Sequence, residues 1–166
     1  MQDLSQQASK AAAAIKALES LYATFVQCAK APSPNWKPEL GNIAAAPSGI
    51  TCYALGCKIT AAPRAVALHG RIQSLELDFV HAWAGGEDPL LRLYLQPTGW
   101  FTRDLLGQEQ FHAHDDPATK DALVLALCTA LLASPAFAPK PGTPVVDTTR
   151  VVSLGASYRG RVQAVG

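Results

Sequence analysis

The sequence predicts a single α+β domain, with a long N-terminal helix and a second buried helix packed on an antiparallel β-meander. Three observations carry that prediction. Apolar and polar residues alternate on both sides of a short loop between Gly70 and Phe101. An apolar seam at helical spacing runs from Leu4 to Ala29, and an almost wholly apolar segment follows Asp115-Asp116-Pro117. Late strands are expected near the C-terminus.

Residues 3–30 form the first element. Leu4, Ala8, Ala11, Ile15, Leu18, Tyr22, Phe25 and Ala29 recur at alternating steps of four and three, which places them on one helix face. The small residues come early and the large ones late. The C-terminal half is therefore expected to pack deepest, and the N-terminal half to lie shallow or meet a partner. Packing on the domain's own sheet is the leading expectation; a homo-oligomer through this helix is the alternative. Pro32, Pro34 and Pro38 end the helix, since proline lacks the amide donor and restricts its predecessor. Trp36 is expected to plug one end of the core, and residues 41–49 to form a loop.

An antiparallel meander is expected over residues 49–103. Ile50, Cys52 and Ala54 share one parity and Cys57 and Ile59 the other, so a bulge or tight turn falls at Gly56. Ala65 to His69 makes a short strand leading through Gly70. Leu75, Leu77, Phe79, His81 and Trp83 then alternate with polar or small residues, and beyond Gly85–Pro89 so do Leu91, Leu93 and Leu95. Pairing buried faces puts Phe79 opposite Leu95, His81 opposite Leu93 and Trp83 opposite Leu91. Glu76 and Asp78 then share the outer face with Arg92 and Tyr94. Pro97-Thr98-Gly99 fits a turn, with Trp100-Phe101 opening another strand.

Between Thr102 and Gln110 only a turn at Gly107 is indicated. A helix is expected over 116–133, capped by the aspartates with Pro117 at its first position. Its composition from Ala122 to Ala133 is apolar nearly all round, which predicts burial on more than one side. A C-terminal strand region is expected over 145–162, docking along a sheet edge.

Composition narrows the function. The chain has 166 residues, 49% of them hydrophobic, enough for one domain with a substantial core. Net charge is +1 from 14 basic and 13 acidic residues, scattered along the chain. No basic stripe is present for nucleic acid, and no apolar run reaches the ~20 residues of a membrane helix. Four cysteines without metal-ligand spacing predict reduced, buried thiols and a cytoplasmic location. No G-x-S-x-G, P-loop or G-x-G-x-x-G occurs, so no nucleotide cofactor or activated serine is indicated.

Two strings invite a site. His112 and His114 would project to one side of a strand, and with Asp116 they form H-x-H-x-D, a pattern that ligates zinc. It superficially resembles part of the metallo-β-lactamase motif, but Pro117 stands where that motif has histidine, and the aspartates are wanted as helix caps. No metal or other cofactor is therefore expected, with His112 and His114 as the candidates if one binds. The second string is the outer sheet face. Carboxylates beside an arginine perform acid-base work in a pocket and form cross-strand ion pairs on an open face. The leading expectation is a non-catalytic protein-binding module, such as a bacterial adaptor, chaperone, inhibitor or immunity-type protein, binding through Arg92, Tyr94 and Trp100. A small enzyme using Glu76, Asp78, Arg92 and Tyr94, or a metal at His112 and His114, is the alternative. A deep pocket where those groups converge would favour the enzyme; a flat face would favour the binder.

Overall fold

A computed structural model describes residues 3–33 and 37–145. The Trp36 plug and, beyond Val145, the C-terminal strand region lie outside those residues. The α+β expectation holds: a long helix α1 (Leu4–Lys30) and a second helix α2 (Thr119–Leu132) lie with an antiparallel sheet of eight strands. The strands are β1 (Gly41–Ala46), β2 (Gly49–Ala54), β3 (Cys57–Ala61), β4 (Pro63–Leu68), β5 (Arg71–Trp83), β6 (Gly86–Leu95), β7 (Trp100–Thr102) and β8 (Gln110–Ala113). Their order is β1-β2-β3-β5-β6-β7-β8, with β4 also on β5. The sheet curls into a half-barrel.

The meander is longer than expected at both ends, running from Gly41 to Ala113 rather than over 49–103. β1 was hidden by its composition: Gly-Asn-Ile-Ala-Ala-Ala has one β-branched residue and reads as loop. It pairs with β2 nonetheless, setting Ile43 opposite Cys52 and Ala45 opposite Ile50 on the core side. The phase change near Gly56 is a tight turn. Leu55 and Gly56 both have positive φ, 50° and 77°, the backbone of a two-residue hairpin. The fold-back returns Cys57 to the face of Cys52, not the opposite one, because Ala54 now opposes Cys57. His69 and Gly70, at φ 50° and 74°, close β4 onto β5 in the same way.

β3 and β4 are two halves of one line along β5. Thr60 opposes Val80 and Pro63 opposes Leu77, so the register carries across Ala62. The second half leaves β2 behind and follows the first residues of β5 alone.

The central hairpin has the predicted faces in a different register. Phe79 opposes Leu91, Leu77 opposes Leu93 and Leu75 opposes Leu95, four residues from the expected pairing. The strands continue through the supposed loop until Trp83 meets Gly86, leaving only Ala84 and Gly85 to turn. A loop of two residues alone would set Phe79 against Leu90 and turn the following leucines to water. The bulge at Leu90 corrects this: Val80 opposes Pro89 and Phe79 opposes Leu91, so three leucines regain the core face. Pro89, which has no amide to donate, sits next to that irregularity. Trp83 consequently lies beyond the core, partly exposed, with its indole over Gly85, where a Cβ would come within 2.3 Å of the ring.

Both helices cover the same face of the sheet. α1 packs on β1 and β5, and α2 on β6, β1 and β2. Leu18, Tyr22, Phe25, Val26 and Ala29 of α1 meet Leu75, Leu77, Phe79, Leu93, Leu95 and Phe101 of the sheet, with Leu123, Val124, Leu127 and Leu131 of α2 completing the core. Phe25 meets Phe101 edge-on at 5.1 Å. The Tyr22 hydroxyl donates to the Ala46 carbonyl at 2.9 Å, tying α1 to the end of β1.

α2 departs from expectation twice. It begins at Thr119, not 116, because Asp116 caps a turn instead: its carboxylate accepts from the Ala118 amide at 2.8 Å. It is also buried on one face only. Leu125 and Leu132 are 52% and 64% exposed, so an apolar composition around the helix did not mean burial around it.

Candidate functional site

The outer face of β4, β5 and β6 gathers the charged residues that the alternation placed there. Glu76 opposes Tyr94 and Asp78 opposes Arg92 across β5 and β6, while Arg64 of β4 opposes Glu76 from the other side. Glu76 is the centre. Its carboxylate accepts from Arg64 Nη2 at 2.7 Å, and its other oxygen lies 3.9 Å from Arg92 Nε. Arg92 Nη2 in turn donates to Asp78 at 3.2 Å. Glu76 is 11% exposed, whereas the side chains of Arg64 and Arg92 are 70% and 51% exposed. A nearly buried carboxylate therefore holds two arginines whose outer edges face solvent.

The arginines are fixed as cations. The hydrogen bond to Asp78 and that residue's charge raise the Arg92 pKa above its ordinary value, with smaller contributions from Tyr94 and Glu76. The hydrogen bond to Glu76, then its charge, raises that of Arg64. Carboxylates engaged in this way orient guanidinium groups, which suits recognition better than proton transfer.

A shallow hollow of about 610 Å³ crosses the outer face next door, floored by Ala44, Thr51, Thr60 and Val80 with Asp78 and Glu87 at its margin. Two others, of about 480 and 470 Å³, lie beside β1 and beneath α1. None of the three is lined by Glu76, Arg92 or Tyr94.

Trp100 is on this face but apart from the cluster. The Gln96 amide donates to the Trp100 carbonyl at 2.9 Å, so Trp100 sits beside Gln96, four positions and roughly 13 Å along β6 from Arg92. Between them rises the turn expected at Gly107, whose amide donates to the Asp104 carbonyl at 3.2 Å, held by a polar network that the sequence did not reveal. Gln96 Nε2 donates to Thr102 Oγ1 at 3.0 Å and to the Leu105 carbonyl at 3.1 Å. Thr102 Oγ1 donates to the Asp104 carbonyl at 2.8 Å. The Asp104 carboxylate then accepts the Glu109 amide at 2.6 Å and the Gln108 amide at 3.1 Å. Gln96 and Thr102 are buried beneath this loop, polar residues on a solvent-side parity. Arg103 places its guanidinium 5.3 Å from the Phe111 ring centre, steadying the return into β8.

The histidine string builds the neighbouring turn. His114 Nδ1 approaches the Gly99 carbonyl at 2.7 Å; a carbonyl only accepts, so that nitrogen carries the proton. His112 Nδ1 lies 3.8 Å from Asp116. Among the described residues no group of three or more His, Cys, Asp or Glu side chains is arranged to hold a metal. A Cβ at Gly99 would come within 2.7 Å of the His114 ring, and Gly99 has a φ of 87°. His81, on the core face, leaves Nδ1 buried without a hydrogen-bond partner, and its cross-strand neighbour Asp88 does the same with Oδ2.

No family model, curated protein or solved structure matches the chain. Among the described residues no helix is long and apolar enough to cross a membrane.

Proposed function

We propose that the chain is a non-catalytic protein-binding module that engages its partner through the outer face of β4, β5 and β6, around Arg92 and Tyr94. One observation carries the reading: Glu76 and Asp78 hold a half-exposed Arg92 beside Tyr94 on paired strands. Arginine and tyrosine are the residue types that most often anchor interfaces, and side chains already held in place lose less freedom on binding. Arg64 joins them, and Trp100 supports the rim beyond the Gln96 turn. Four unpaired thiols support a cytoplasmic location.

The test compares the native chain with the Arg92→Ala/Tyr94→Ala variant. Both side chains point away from the core, so the variant keeps its melting temperature. A partner captured by the native chain should bind the variant about 2 kcal/mol more weakly, roughly thirtyfold in affinity, by titration calorimetry. Equal affinity for both proteins would remove this face from the reading.

A further inference from the structure

We infer that a second copy of this chain docks along the N-terminal half of α1, antiparallel to it, making a symmetric dimer. The helix is 27 residues long, about 40 Å, but only its C-terminal half lies on the core. Every residue from Asp3 to Lys10 is exposed, and Ala11, Ala14 and Ile15 are half-buried. The seam that buries Leu18, Tyr22 and Phe25 continues outward as Ile15, Ala11, Ala8 and Leu4, and its last two residues, Ala8 and Leu4, are exposed among the described residues. Leu4, at its end, is 80% exposed. An isolated helix of about a dozen residues, the length of the overhang, is marginal in water, so that stretch gains from a packing partner.

Three features make the partner a copy of itself. First, the outward seam reads the same from either end: large, small, small, large, at steps of four, three and four. In an antiparallel pair centred between Ser9 and Lys10, Leu4 meets the second copy's Ile15 and Ala8 meets its Ala11. The central alanines let the two backbones approach closely. Second, a self-contact brings identical charges together, and between Leu4 and Ile15 the seam carries none: Ser5, Gln7, Ala12 and Ala14 flank it, Lys10 and Lys16 point aside, and Glu19, one turn beyond Ile15, has no second Glu19 opposite it in this register. Third, the docked Leu4 has a place to go. Next to Ile15 opens the cleft of about 470 Å³ between α1 and the sheet edge, lined by Tyr22, Pro47, Pro63, Ala65 and Leu75 with Glu19 on its helix side. A leucine from the second copy, lying against Ile15, enters that cleft, and symmetry seats this chain's Leu4 in the other one.

This inference is independent of the outer-face reading, because α1 lies on the opposite side of the sheet. Sedimentation velocity of the full chain from about 1 µM to about 1 mM tests it. Mass should rise with concentration toward twice the 17.5 kDa monomer. Leu4→Glu and Ala8→Glu should each weaken the dimer at least tenfold. Glutamate in the first helical turn favours the helix, so loss of the dimer by Leu4→Glu cannot be fraying; circular dichroism confirms it. Ala13→Glu, on the opposite side of the same turns, should leave the dimer unchanged. A chain that stays monomeric throughout, or a dimer indifferent to Leu4→Glu and Ala8→Glu, overturns the proposal.

Discussion

Among single residues the four cysteines divide by environment, and their chemistry should divide with them. Burial pushes the Cys52 thiol up to about 12, with Cys128 close enough to add to the effect. Burial also raises Cys128, whose thiol faces the Leu40 carbonyl at 3.5 Å. The thiolate is the reactive form, so both should resist an aromatic disulfide reagent in the native protein, while half-buried Cys28 and Cys57 react. Two thiols released quickly and two only after denaturant is the expected titration; four fast thiols would mean an open core. Asp104 offers a pH test. The Glu109 and Gln108 amides hold its carboxyl below the usual aspartate range. A depressed folded-state pKa means that the turn's stabilisation is complete above the free-aspartate value and fades as pH falls through the lower one. Amide protection factors at Gln108 and Glu109 should fall in that acid window, and in Asp104→Asn at neutral pH. The gathering of Glu76, Asp78, Arg92 and Tyr94 was legible from strand parity alone, since parity survives an error of register by four. Arg64 was not. It reaches Glu76 because β4 slips by one residue between Val66 and Ala67, and no residue type there announces the slip.

Elements show where local pattern decides and where it does not. The tight turns at Gly56 and Gly70, the helix start at Asp3 and the turn closing on Gly99 all follow from residues in place. The pairing of β5 with β6 follows from a count that pattern leaves open, because two registers bury the same leucines. The structure takes the shorter loop and restores the parity at Leu90. Deleting Leu90 should therefore be far worse than its half-buried position suggests. It would send Leu91, Leu93 and Leu95 to the outer face, and far-ultraviolet dichroism should show no cooperative unfolding. Leu93→Ala keeps the register and loses only packing; it should cost about 2–5 kcal/mol in denaturant titration. A midpoint unmoved by that change would contradict the buried face. β1 and the exposed side of α2 were illegible for a common reason. Composition reports what a segment could bury, and neighbours decide what it does bury.

At the scale of the whole molecule, the two faces of the sheet differ in kind: helices and core on one, an ion-paired surface on the other. That division was predicted by alternation, whereas the curl of the sheet and the extent of the meander depended on turns and bulges distributed over many residues. The strand order has a consequence of a different kind, in time. β1 through β3 and β5 through β8 are joined to their neighbours by short connections, and β4 merely extends β3. Closing short loops costs little chain entropy, so the sheet can grow by successive hairpins before either helix is in place. α1 must instead find β5 across some fifty residues of sequence. Leu77→Ala, inside the sheet, should slow refolding, and Phe25→Ala, on the late-docking helix, should chiefly speed unfolding in stopped-flow experiments. The helix that comes first in the chain would then be among the last parts to arrive, waiting unsupported while its own binding surface is assembled.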